Sequence, residues 1–149
     1  AFKRVSGMLS YLLGFLKIMI HYPKPVSVRI RTDQEEITID TQQISICNGR
    51  RMGSTFIMGP QAELDDGLLD VVYANKPIKG SQILRYAVRF FSGSQLKTER
   101  FSMLRTTEVS VTAQEDSLVC HTDGEAVSRG CGSIKVKLFP GQLKFIRKS

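Results

Sequence analysis

Residues 26–47 read VSVRIRTDQEEITIDTQQISIC. Apolar side chains recur at every second position: Val26, Val28 and Ile30, then Ile37 and Ile39, then Ile44 and Ile46. Successive side chains of a strand point to opposite faces, so this period sets one face of each segment on a core and the other in water. The turn-forming stretch TDQEE separates the first two segments, and DTQQ separates the second from the third. The spacing predicts three strands in an antiparallel meander.

Outward from this stretch the period changes. Over residues 2–21, Val5, Leu9, Leu12, Leu13, Leu16 and Ile20 fall on one helical face, and Pro23 and Pro25 end the helix. Such a stripe must be buried, against a core or against a partner or membrane surface. Its apolar run at 8–20 is too short to span a bilayer and is interrupted by Lys17. Lys3 and Arg4 precede the run, but no small-residue cleavage site follows, so neither a span nor a secretory leader is expected. A second helix is predicted in SQILRYAVRFFSG, with Ile83, Leu84, Ala87, Val88 and Phe91 apolar, Ser81 as N-cap and Gly93 as stop. Further strands are expected at 69–73, 107–113, 117–121, 126–128, 133–139 and 142–147, with Pro140-Gly141 turning between the last two. The pattern predicts one mainly β domain over residues 1–149, a β-sandwich or partly closed barrel with an N-terminal helix and one inserted helix.

The chain has 149 residues, enough for one domain with a real core. Its net charge of +7 suits anionic partners, but the cations are scattered, densest in NGRR and the terminal RKS. No basic run interleaved with aromatics occurs, and nucleic acid is not an expected partner. Cys47, Cys120 and Cys131 form no C-x-x-C and are odd in number, which argues against a disulfide scaffold or structural zinc and for a reducing cytoplasm.

Three stretches carry chemistry-bearing side chains. AELDDGLLD (62–70) packs Glu63, Asp65, Asp66 and Asp70 into nine residues. Carboxylates and loop carbonyls suit a hard cation, although the spacing is not that of an EF-hand and by itself reads first as a solvated turn. NGRRMGST (48–55) combines glycine amides with arginines able to grip phosphate, but it lacks the Walker A order, and Asn48-Gly49 also reads as a hairpin turn. LVCHTDGEAV (118–127) holds a strong turn signal at Asp123-Gly124, followed at once by Glu125. That pair of acids is either a solvated turn or a proton acceptor for a hydroxyl nucleophile. A Cys120/His121 catalytic pair is disfavoured, because adjacent strand residues face opposite ways.

Taken in order, the first helix, ICNGRRMGSTFIMGPQAELDDGLLDVV and HTDGEAV resemble the C-terminal domain of the bacterial diacylglycerol kinase-like lipid kinases, relatives of sphingosine and ceramide kinases. The resemblance covers most of the chain. It implies an antiparallel β-sandwich that forms the substrate side of a two-domain enzyme transferring the γ-phosphate of ATP to a lipid hydroxyl, diacylglycerol or sphingosine-like. It implies that Glu125 is the general base and that Asp123 supports it. It further implies a structural Mg2+ on Asp66 and the backbone carbonyls of Glu63 and Leu68. ATP would be the co-substrate, lipid the acceptor, and the protein cytoplasmic with peripheral contact at the inner membrane face. Two departures stand out. No G-G-D-G-T nucleotide motif occurs, so the chain is expected to need a nucleotide-binding domain that it does not contain. GST replaces G-G-G at 53–55, which alters backbone freedom near the cleft. The rival expectation is a non-catalytic anion- or lipid-binding β-sandwich derived from such a kinase.

Overall fold

The computed structural model describes residues 23–53, 55–123 and 125–142. The predicted N-terminal helix, and residues 143–147 of the last predicted strand, lie outside the described residues. The strands in chain order are β1 (Val26–Arg31), β2 (Glu36–Thr41), β3 (Ile44–Cys47), β4 (Arg51–Met52), β5 (Phe56–Ile57) and β6 (Leu69–Ala74). Helix α1 (Ile83–Ser92) follows, then β7 (Phe101–Thr106), β8 (Glu108–Ala113), β9 (Leu118–Thr122), β10 (Glu125–Cys131) and β11 (Ser133–Lys137).

Among the described residues two sheets carry the core. One has the order β11-β8-β1-β2 and the other β3-β6-β7, every pairing antiparallel. Val28 and Ile30 of β1 and Val109 and Val111 of β8 point inward from the first sheet. Leu69, Val71 and Tyr73 of β6 meet them from the second. This is the expected mainly β, sandwich-like architecture. The expected meander is corrected, because β3 does not pair with β2. Between Thr41 and Ile44 the chain crosses to the other sheet, where Ile46 faces Val71. Gln42 pins the crossing: its Nε2 donates to the Pro23 and Ile78 carbonyls at 3.0 and 3.1 Å, and its Oε1 accepts from the Ile78 amide at 2.7 Å.

Every residue of β6 is buried. Its second face, with Val72 and Ala74, lies under a third layer made by α1 and the short β4–β5 hairpin. Ile78, Phe90 and Phe101 join Ala74 in a second apolar cluster, with Phe90 and Phe101 packed edge to face at 5.2 Å. Gly93 caps α1 in the left-handed conformation, as expected. The start differs: a 3-10 turn, Gly80–Gln82, precedes α1, and its cap is not Ser81. The Lys79 amide donates to the Gln82 Oε1 at 3.1 Å instead.

Strand β7 was not expected. Arg105 follows Phe101 and Met103 on the face turned away from the other sheet and ends the apolar row that would have marked the strand. β4 and β5, at two residues each, are too short to leave a period.

Candidate active site

The acidic loop enters β6 directly. Gly59 packs against its base, where a Cβ would stand 3.0 Å from Cys47 Cβ and 3.1 Å from Ala62 Cβ. Gly49 approaches Leu64 Cδ2 as closely, at 3.2 Å for a built Cβ. The NGRR turn, the GPQA stretch and the acidic loop therefore form one cluster in space. Gly67 has φ of 73°, a backbone state that costs glycine little and other residues more.

Within the cluster Asp66 closes its own turn, its Oδ1 accepting from the Leu68 amide at 2.9 Å. Its Oδ2 pairs with Arg105 Nη2, and Arg105 Nε donates to Asp70 Oδ1 at 3.1 Å. Asp70 is fully buried and its Oδ2 has no hydrogen-bond partner. Register explains the contact: Cys47, Asp70 and Arg105 lie in one row across β3, β6 and β7. Burial pushes the Asp70 carboxyl above the usual carboxylate range; Arg105 pulls it back by charge and hydrogen bond, while Asp66 and Glu63 push it up again. Burial, and secondarily the Asp70 charge, raises the Cys47 thiol to about 11, so it stays protonated at neutral pH and is no nucleophile.

Among the described residues no three His, Cys, Asp or Glu side chains come together as a metal-binding group. A site built from side chains alone is therefore not present there. The donor set implied by the resemblance, one carboxylate with two backbone carbonyls, is of a different kind. The chemistry of the loop fits a cation: Asp66 and Glu63 both act on Asp70 against the guanidinium of Arg105, and the buried Asp70 Oδ2 is left without a donor among the described residues.

The other acids sit elsewhere. β9 and β10 pair only with each other, Glu125 opposite Thr122 and Ala126 opposite His121, with irregularities before and after Ser128. Asp123 turns the hairpin with φ of 51°, which a short polar side chain tolerates. Leu118 and Cys131 root the arm in the core. Beyond them it is exposed, Val119 and Val127 included. Asp123 and Glu125 are exposed, and among the described residues neither carboxylate has a hydrogen-bond or ion-pair partner. Glu63, Asp66 and Leu68 thus share one loop and Asp123 and Glu125 another, with no bond joining the two among the described residues. Sequence reasoning missed Arg105. The signal was Asp70, a carboxylate within an apolar strand, which burial obliges to find a partner.

Under α1 an open, mostly apolar cavity of about 210 Å3 is lined by Met52, Phe56, Ile78, Tyr86 and Phe90 among others. Buried Gln95 holds its hairpin wall, Nε2 donating to the Ile57 and Met58 carbonyls at 2.7 and 3.2 Å.

A two-sheet antiparallel sandwich, with an acidic loop feeding its central strand and a free acidic hairpin, defines a class seen in known proteins. Residues 1–147 match the family described as YegS C-terminal NAD kinase beta sandwich-like domain, and the chain belongs to that family. It is 27% identical over 143 residues to a "Probable lipid kinase YegS-like" of Stenotrophomonas maltophilia (strain K279a), covering 95% of this chain and 45% of that one. The chain thus spans about half the length of the curated relative. Two solved structures of putative diacylglycerol kinases from Bacillus anthracis str. Sterne share the fold. One has a TM-score of 0.61 at 20% identity over 93% of this chain and 46% of the other. The second has 0.62 at 19% over 92% and 48%.

Proposed function

We propose that the chain is the C-terminal, substrate-side part of an ATP-dependent lipid kinase, with Glu125 as general base. The observation that carries the reading is the hairpin: a rooted two-stranded arm carries the Glu125 carboxylate near its tip, unpartnered among the described residues. Phosphoryl transfer needs alignment, charge neutralisation and a base near the acceptor oxygen, with little covalent work by the protein. Glu125 would accept the proton of the lipid hydroxyl as that oxygen attacks the γ-phosphorus of ATP, the bond to the β,γ-bridging oxygen breaking and ADP leaving, and Asp123 would hold the turn that aims Glu125. The apolar cavity under α1 supports a lipid acceptor, since an acyl or sphingoid tail would leave water there.

Asp66 and the backbone carbonyls of Glu63 and Leu68 would hold Mg2+. When bound, that ion supplies positive charge that quiets repulsion among the loop carboxylates. ATP would be held mainly by a second domain, and the enzyme would work in the cytoplasm at the inner face of the membrane.

The test is ATP-dependent phosphorylation of a panel of diacylglycerols and sphingoid bases, on protein that includes the native upstream sequence. Wild type is expected to label a lipid, and Glu125→Gln to lose that activity while remaining folded. Persisting activity in Glu125→Gln would move the base elsewhere. No labelling by wild type, combined with lipid binding, would favour the second reading, a non-catalytic lipid-binding sandwich. The cavity also supports that reading, because it needs no nucleotide.

A further inference from the structure

α1 is apolar over more of its circumference than packing requires. Ile83, Tyr86, Ala87 and Phe90 turn toward the domain and line the cavity. Leu84, Val88 and Phe91, at 54%, 57% and 49% exposure, form a second ridge that faces water. Residues at this spacing are neighbours on a helix surface. The ridge continues onto the hairpin wall, for Phe91 stacks on Phe56 at 4.8 Å, and half-exposed Met52 lies beyond Phe56 at the cavity. α1 carries Arg85 and Arg89 and no acid. Beside its first turns lies a polar hollow of about 330 Å3 in which Lys76, Arg85 and Arg100 face a single acid, Glu99.

We propose that this face, the Leu84–Val88–Phe91 ridge with its cationic flank, docks on an anionic lipid bilayer. Apolar side chains would enter the acyl boundary while Lys76, Arg85 and Arg89 meet headgroup phosphates. The charge decides the occupant: a ridge bordered by cations with one acid among them is matched by a negative surface. A second copy of the chain would bring the same cations to the interface. The ridge also borders the cavity mouth, so docking places an apolar hollow against the lipid phase. The proposal deepens the membrane placement given above, and it assigns that contact to α1.

The test is co-sedimentation with vesicles of phosphatidylcholine alone and of phosphatidylcholine with phosphatidylglycerol. Wild type is expected to pellet with the anionic vesicles and to be released by salt. Leu84→Ser/Val88→Ser is expected to weaken partitioning by about tenfold or more. Lys76→Gln/Arg85→Gln should remove the preference for phosphatidylglycerol. Val88→Gln alone changes one exposed side chain and reports the same loss should the double variant fail to fold. Wild type that stays in the supernatant overturns the proposal, as do serine and glutamine variants that bind like wild type. Self-association of wild type that Val88→Gln abolishes, without vesicle binding, overturns it in favour of an interface between copies. Phosphorylation of a short-chain, detergent-dispersed acceptor separates the two readings. Its absence in wild type sinks the kinase assignment and leaves the vesicle result standing.

Discussion

Strand β6 and the β9–β10 hairpin are both antiparallel strand structure, yet they live under opposite constraints. β6 is covered on both faces and holds a carboxylate that the fold must satisfy with Arg105. The hairpin is anchored by Leu118 and Cys131 and then leaves the core, carrying two carboxylates that nothing among the described residues engages. The buried Asp70 serves the structure. The two acids at the hairpin tip are unpartnered among the described residues. Stability and proposed reactivity are thereby assigned to different strands.

The sharpest way to break that division is to mutate both sides. Glu125→Gln is expected to cut lipid phosphorylation by about a hundredfold or more. Its melting temperature should stay near that of wild type, since among the described residues the side chain has no partner to lose. A large drop in melting would return Glu125 to a structural role. Ile30→Ala, in the core that β6 shares, should do the reverse. A cavity there costs about 2–5 kcal/mol of stability, readable by urea unfolding, while the turnover of whatever protein remains folded is kept.

A third test concerns the acidic loop. Adding Mg2+ is expected to raise the melting temperature of wild type by several degrees, and Asp66→Asn to abolish that response. No response in wild type would leave Arg105 as the loop's sole counterion. The smallest effect is expected at the surface. The Lys135 ammonium bonded to Glu108, with Lys137 near it, holds the Glu108 carboxyl below its usual range. A depressed folded pKa gives stability above the unfolded value, lost as pH falls through the folded one. Glu108→Gln should therefore melt slightly lower at neutral pH, and the difference should close as pH falls through the lowered Glu108 pKa. Because the pair is solvent-exposed, the shift should be small and should shrink with salt.

Much of this was legible in residues 26–47, where alternation marked three strands, and in Asp123-Gly124, where turn chemistry marked the hairpin. The sheet to which β3 belongs was not legible, because a period of two says which face is buried and nothing about which neighbour is paired. β7 was hidden for the opposite reason. Arg105 breaks the row begun by Phe101 and Met103, and the buried Asp70 on the adjacent strand explains a cation there. The residues of the acidic loop were visible as a cluster, and their placement at the mouth of β6 followed from DGLLDVV. Their internal counterion came from 35 positions downstream, a separation that no local pattern reports.

Arg105 has a consequence for the order in which the protein is made. A loop bearing Glu63, Asp65 and Asp66 ahead of a buried Asp70 would resist closing if it had to wait for a dissolved ion. Here the neighbouring strand brings its own positive charge as the sheet zips, so two of the loop's carboxylates meet a counterion that the fold itself supplies. A cation bound at the loop would then join a pairing already made, as a tenant rather than a builder.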